Sequence, residues 1–401
     1  MHRLTWLLLI CLALPSCVAP ESIKPSGFTC VLPRPLHATI QPQAREETPP
    51  APEFGQAVYA GDDIVRGYHP TPALVTKQTH VDRARFPVID IHAHWTIRNE
   101  PEALLAAMDE RNVAYAVNLS GGSGQRLDAT LAKFDPETYP RLITFTTIDF
   151  SRLDEPGFAA EVRESLAEAK ARGVRGIKIF KTLGLSMKDS AGRVVPIDDP
   201  RIDVVWQAAG ELGLPVLVHS ADPAAFWGPL DETNERWLQL KRHPNWSFHD
   251  PQFPDRVEIL EQFDRVVERH PQTTFIAAHL GNWAENLPEL ARRLEKYPNL
   301  YADISAREAE WGRQPYTARK FFIKYADRLL FGTDRYPGRE EQPRYRIYFR
   351  MLETDDEYFD YYDHPYPPTG EWKVYGLFLP DDVLKKIYHD NAAKLLGLPP
   401  L

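Results

Sequence analysis

Hydrophobic and polar residues change their spacing in a regular order from about residue 86 onward. Short apolar or β-branched runs predict strands, and the amphipathic stretches between them predict helices. The predicted strands are Val88–His92, Tyr115–Leu119, Leu142–Ile148, Val174–Phe180, Pro215–His219, Thr274–His279, Asn299–Ser305 and Arg328–Thr333. The predicted helices are one opening at Asn99 and Pro101, Pro156–Arg172, one from Asp199-Pro200 to Gly213, Asp255–His270, Ala284–Lys296 and Tyr316–Tyr325.

This alternation predicts an α/β fold, a (β/α)8 TIM barrel over residues 86–401. Eight strand–helix units in about 245 residues match the size of such a barrel. A doubly wound open sheet is the competing architecture, but the first strand is followed by no GxGxxG loop. After the eighth strand, residues 340–376 predict a long loop excursion over the barrel mouth, and Asp381–Leu396 predicts a closing helix that ends at Gly397.

The first 17 residues have the pattern of an export signal. A short basic start precedes the apolar stretch Leu4–Leu14, which is too short to span a bilayer. The sequence Leu14-Pro-Ser-Cys17 resembles a bacterial lipobox, which implies a lipidated Cys17 and an exported lipoprotein of the outer membrane or periplasm. A plain secretory signal is the alternative. Residues 18–85 are predicted to be a Pro-rich tether and N-terminal extension.

Composition limits the partners of the protein. The net charge of −9 is spread without a long block of one sign, which argues against a nucleic-acid-binding surface. Only three Cys residues are present, so no disulfide framework is expected. We therefore expect a small-molecule substrate and membrane contact only through the N-terminal lipid. A homo-oligomer is left open.

Polar residues stand at the carboxyl ends of several predicted strands. The set consists of His92, His94, Lys178, His219, His279 and Asp334. Strand alternation places His92 and His94 on one side, and a barrel gathers the strand ends at a single mouth. Each His alone is more simply explained as a satisfied core residue. Four His and one Asp together predict a metal site.

This ligand pattern, with Gly332-Thr-Asp334 on the last strand and the closing helix, resembles the amidohydrolase superfamily, in its amidohydrolase-related branch, over residues 86–398. The resemblance implies a divalent metal, most suitably Zn²⁺, held by His92, His94, His219 and Asp334. It leaves His279 to polarise the substrate or orient the water. With two metals, His279 becomes a ligand and a carboxylated Lys178 bridges them; an unmodified Lys178 could instead bind a substrate carboxylate.

Four further residues are predicted to contact the substrate. Trp95 lies beside the His pair, Lys181 follows Lys178, Arg307 follows the seventh strand and Arg335 follows Asp334. Arg and Lys at the mouth suit an anionic substrate, and rim salt bridges are the alternative for them.

The resulting hypothesis is a metal-dependent hydrolase that activates water to cleave an amide, ester or lactone-type bond. In this reading Asp334 both binds the metal and carries the proton, because a carboxylate can do both. A metal-dependent decarboxylase of an unsaturated or aromatic acid needs the same ligands. An alternative of another class is a non-catalytic surface-binding lipoprotein.

Overall fold

The computed structural model describes residues 72–335, 337, 344–362 and 367–400. The export signal, Cys17 and residues 18–71 of the predicted tether and extension lie outside these residues. The chain divides into two units, Met1–Ala73 and Leu74–Leu401, and every element below belongs to the second.

Within the described residues, nine short strands form two parallel sheets. They are β1 (Val88–Ala93), β2 (Val113–Asn118), β3 (Leu142–Thr144), β4 (Thr146–Thr147), β5 (Ile177–Ile179), β6 (Val216–Val218), β7 (Phe275–Ala277), β8 (Leu300–Asp303) and β9 (Leu329–Leu330). The sheets have the orders β1-β2-β3 and β4-β5-β6-β7-β8-β9, and each strand pairs with the next in the chain. Both faces are buried, as expected for strands covered by helices.

The two sheets meet at both of their edges. Only Phe145 separates β3 from β4, so these segments together make the third predicted strand. At the other edge, backbone hydrogen bonds run from Ile91 N to Phe331 O (3.0 Å), from Asp334 N to His92 O (2.6 Å) and from His94 N to Arg335 O (2.9 Å). The strand order and these bonds confirm the (β/α)8 prediction.

Eight helices of ten or more residues accompany the strands. They are α1 (Pro101–Arg111), α2 (Gly124–Lys133), α3 (Phe158–Ala171), α4 (Asp203–Leu212), α5 (Arg256–Arg269), α6 (Leu287–Lys296), α7 (Pro315–Lys324) and α8 (Arg344–Glu353). The C-terminal helix runs through Asp381–Lys385, a π-helical turn at Lys386–Asp390 and Asn391–Leu396. Within the described residues, no helix combines the length and the apolar character needed to cross a bilayer.

Short helical turns occupy several loops: Thr182–Leu185, Pro200–Ile202, Ala224–Trp227, Trp237–Arg242, Pro244–Trp246, Ala278–Gly281, Glu308–Trp311 and Ala326–Arg328. The predicted boundary signals act as expected in two helices. The Asp255 carboxylate accepts hydrogen bonds from Val257 N and Glu258 N at the start of α5. Gly213 ends α4 in a left-handed conformation, with φ of 63°.

The structure differs from the prediction in two segments, one after the eighth predicted strand and one before the first. Helix α8 lies within residues 340–376, which were predicted to be a loop excursion. Its apolar side chains, among them Tyr348, Phe349 and Leu352, are buried. Part of the predicted N-terminal extension is hydrogen-bonded to the end of α8 and the residues after it. Thr79 N donates to the Asp356 carboxylate, and Arg85 N donates to the Glu353 carboxylate.

Gly332 generates a prediction about the edge where β1 meets the residues after β9. A Cβ at this position would lie 2.9 Å from the Cβ of His92, which is too close for a real contact. We expect Gly332→Ala to lower the free energy of unfolding by about 1–3 kcal/mol through overpacking.

Urea denaturation measures this change. The matched control is Gly157→Ala, because Gly157 has right-handed backbone angles and the added Cβ would meet only Glu161, at 3.5 Å. We expect that control to change the free energy of unfolding by no more than about 0.5 kcal/mol. Equal effects of the two substitutions would contradict close packing at this edge.

Candidate metal centre at the strand ends

The residues predicted at the strand ends lie at the same end of the barrel. His92 belongs to β1, Lys178 to β5 and His219 directly follows β6. His279 lies two residues after β7, and Asp334 follows β9. The ring of His92 has its centroid 5.4 Å from that of His94 and 4.8 Å from that of His279. The ring of His219 lies 4.4 Å from that of His279.

One carboxylate oxygen faces both members of the His pair. Asp334 Oδ1 lies 3.3 Å from His92 Nε2 and 3.0 Å from His94 Nε2. These three residues form a group whose ligand atoms are close enough to hold a metal ion. Their residue types, two imidazoles and a carboxylate, are those that bind divalent transition metals.

The opposite nitrogen of each ring is already engaged. His92 Nδ1 lies 2.9 Å from Asp303 Oδ2 and 3.0 Å from Ser305 Oγ, and His94 Nδ1 lies 2.7 Å from Ser120 Oγ. In metal proteins a carboxylate or hydroxyl on the far nitrogen commonly orients the ring and fixes its tautomer. The arrangement therefore leaves Nε2 of both rings as the free ligand atoms.

Asp303 and Ser305 are functional candidates that the sequence analysis missed. Asp303 is fully buried at the end of β8 and also accepts hydrogen bonds from His279 N (3.1 Å) and Ser305 N (3.0 Å). Ser305 Oγ lies 2.9 Å from His279 Nδ1. A signal existed, because Asp303 ends an apolar strand in the same way as His92, but the sequence prediction named only Arg307 there.

Asp303 also belongs to a second group that could hold a metal, with His92 and His279. Its two carboxylate oxygens already take at least four hydrogen bonds from this neighbourhood, including one from Ser305 Oγ (2.5 Å). We therefore interpret Asp303 as the group that orients His92. The His92–His94–Asp334 group is the better fit to a metal ion.

His219 contributes an unsatisfied nitrogen. Its Nε2 is buried and has no hydrogen-bond partner among the described residues. The nearest carboxylate oxygen in an ion pair with it, Asp222 Oδ1, is 3.7 Å away. A buried polar atom without a partner is costly, and a metal ligand is one explanation for it. Among the described residues His219 belongs to neither group of close ligand atoms, so the fit to a bound ion rests on His92, His94 and Asp334.

The backbone around His279 is strained. His279, Leu280, Gly281 and Asn282 all have φ between 55° and 60°, a run of left-handed residues. Non-glycine residues adopt this conformation at a cost, so the surrounding contacts must hold it. Asp303 binds His279 N, while Arg307 Nη2 donates to Asn282 Oδ1 (2.9 Å).

Burial keeps most of these imidazoles neutral, which is the form that binds metals. It lowers the pKa of His94, that of His219 to about 4 and that of His279 well below its ordinary value. Partial burial would raise the pKa of Asp334, but hydrogen bonds from His92 and His94 outweigh it and hold that pKa well below the usual range. Asp334 is therefore ionised at neutral pH.

Lys178 is buried beside the His pair. Its Nζ lies 3.5 Å from His92 Nε2 and 5.3 Å from the centroid of the Phe180 ring. Burial lowers the pKa of Lys178 to about 8, and the charges of Asp334 and Asp303 act in the opposite direction. The predicted location of Lys178 at the site agrees with the structure.

The four residues predicted to contact the substrate lie in different environments. Trp95 is fully buried and packs edge-on against Phe134, and its contact with the substrate stays a prediction. Lys181 is partly exposed and pairs with Asp222. Arg307 is 6% exposed, and Arg335 joins the barrel edge through its backbone.

Comparisons with known proteins agree with this architecture. The amidohydrolase family model matches residues 89–398. No curated protein matches the chain significantly. Solved structures with a similar fold include an uncharacterised TIM-barrel protein from Bordetella bronchiseptica, with 19% identity, coverage of 78% of this chain and 99% of that one, and a TM-score of 0.46.

Two further similar structures are enzymes by name. One is 2,6-dihydroxybenzoate decarboxylase from Rhizobium, with 14% identity, coverage of 78% of this chain and 99% of that one, and a TM-score of 0.48. The other is dihydroorotase from Campylobacter jejuni, with 15% identity, coverage of 80% and 87%, and a TM-score of 0.43. The family match extends over nearly the whole barrel, from β1 to the C-terminal helix. This chain therefore belongs to the amidohydrolase family.

Proposed function

We propose that this protein is a metal-dependent hydrolase that activates a water molecule at the barrel mouth and cleaves an amide, ester or lactone-type bond. The observation that carries the proposal is the approach of His92 Nε2 and His94 Nε2 to a single oxygen of Asp334, at 3.3 and 3.0 Å. Family membership supports an enzyme that uses a divalent metal.

In this proposal His92, His94, His219 and Asp334 hold one divalent ion. Neutral imidazoles with one carboxylate suit Zn²⁺. When bound, such an ion supplies Lewis acidity, which lowers the pKa of water towards about 7. A second ion would require His279 as a further ligand and a carboxylated Lys178 as a bridge.

The side chains of the protein then transfer the proton of the water and orient the reacting groups. Asp334 is ionised, so it can accept a proton from the attacking water and return it to the leaving group. His279, neutral and held by Ser305, orients the water or polarises the scissile carbonyl. Lys181 and the buried Arg307 both pair with Asp222, as the salt-bridge alternative expects, so an anionic substrate would compete with Asp222 for these two cations.

Metal analysis of the purified protein tests the proposal first. After growth with Zn²⁺ or Mn²⁺ supplied, we expect about one ion per chain, and its removal by a chelator should abolish hydrolysis of a panel of esters, lactones and amides. Two ions per chain would favour the Lys178-bridged site. A protein that retains no metal would support the non-catalytic alternative, and release of CO₂ from carboxylic acids without hydrolysis would support the decarboxylase.

Substitutions at the metal centre give a second prediction. His92→Ala should lose the ion, and Asp334→Asn should lose the proton carrier, so each should reduce activity by at least about 10²–10⁴-fold while the protein stays folded. Steady-state kinetics and circular dichroism measure the two effects. His80→Ala and Asp327→Asn are exposed controls that should leave activity unchanged. Most activity surviving in Asp334→Asn would exclude the proton-carrying role.

We also propose that the protein is exported and lipidated at Cys17. This proposal rests on the apolar stretch and on Leu14-Pro-Ser-Cys17. In a Gram-negative bacterium we expect the wild type in the membrane fraction and Cys17→Ser in the soluble periplasmic fraction, or retained with an uncleaved signal. Fractionation and intact-mass measurement distinguish these results. An unmodified Cys17 in the wild type would leave only the plain secretory signal.

A further inference from the structure

Asp90 is a buried carboxylate that joins three parts of the chain. It lies in β1, two residues before His92, and is fully buried. Its Oδ1 accepts hydrogen bonds from His92 N (3.0 Å) and Thr333 N (3.2 Å). Its Oδ2 accepts hydrogen bonds from Thr333 Oγ1 and from Tyr345 OH of α8, both at 2.6 Å. One side chain thus connects β1, the residues after β9 and α8.

Asp334, the residue after Thr333, has a strained backbone that neighbouring contacts must hold in place. Asp334 has φ of 60°, a left-handed conformation that Asp adopts more readily than most residues but still at a cost. Its own N–H donates to His92 O (2.6 Å). Asp90 therefore holds the backbones of His92 and of Thr333, the residue immediately before the strained one.

These contacts determine where two of the proposed ligands stand relative to each other. His92 Nε2 and Asp334 Oδ1 are 3.3 Å apart, and their backbones meet at the same barrel edge. Gly332 allows that approach, because a Cβ there would collide with His92 Cβ. Loss of the Asp90 bonds would leave the Asp334 backbone free to relax away from the left-handed region.

We propose that Asp90, with Thr333 and Tyr345, is a positioning group that sets the separation of His92 and Asp334 and thereby the affinity of the metal centre. The inference rests on the proposed function for the identity of the ligands. It also gives α8 a role in the site, since the Tyr345 hydroxyl donates to the Asp90 carboxylate. Substitution of groups that orient metal ligands typically weakens metal binding by about 10–100-fold.

The test compares substitutions that remove one buried hydroxyl each. Tyr345→Phe and Thr333→Val remove the two hydroxyls on Asp90 Oδ2. Tyr388→Phe is the matched control, because Tyr388 is fully buried and donates to the Glu353 carboxylate (3.0 Å), away from Asp90. Zn²⁺ affinity of the full chain is measured by competition with a chromophoric chelator, and the melting temperature is measured without metal.

We expect Tyr345→Phe and Thr333→Val to weaken Zn²⁺ binding by about 10-fold, within the range for groups that orient ligands. Tyr388→Phe should bind Zn²⁺ as the wild type does, although its metal-free melting temperature should fall by a similar amount. Asp90→Ala should weaken binding further, and Asp90→Asn should recover part of the affinity, because its Oδ1 can still accept from His92 N and Thr333 N.

Two results would overturn the inference. One is unchanged Zn²⁺ affinity in Tyr345→Phe and Thr333→Val while the wild type binds tightly, which would leave the proposed metal centre intact. The other is equal weakening in Tyr388→Phe, which would reduce the role of Asp90 to general stability. Absence of Zn²⁺ binding by the wild type would overturn the proposed function and this inference together.

Discussion

The contact between the first strand and the residues after the last strand is the constraint on which the site depends. Three backbone hydrogen bonds, from Ile91, Asp334 and His94, close this edge of the barrel. They bring a carboxylate from residue 334 beside two imidazoles from residues 92 and 94. The grouping of His92, His94 and Asp334 is therefore a consequence of barrel closure, and a change that opens this edge would separate the proposed ligands.

The interior of the barrel mouth compensates for the costs of this arrangement. Burying several imidazoles is expensive unless their nitrogens are satisfied, and Asp303 and Ser305 satisfy the inner nitrogens of His92 and His279. The left-handed residues at 279–282 and at 334 store backbone strain that the same network holds in place. Strain and desolvation are thus concentrated where the proposed chemistry occurs.

Much of the barrel could be predicted because each strand is a short apolar run and each helix has local start and stop signals. The edges of the strands were less predictable, since β5, β6 and β7 are each three residues long within longer apolar runs. Helix α8 was missed because its aromatic residues pack on distant groups, such as Phe331 against Tyr345.

The sequence by itself determined the (β/α)8 fold and the identity of the polar residues at the strand ends, because both follow from local periodicity and residue type. Only the tertiary structure decided which nitrogen of each imidazole already has a partner and which carboxylate each imidazole faces. It also decided that Asp90 connects α8 to His92 and Thr333. The contacts of His92 with Asp303 and of Asp90 with Thr333 and Tyr345 join residues more than 200 positions apart, for which local sequence carries no signal.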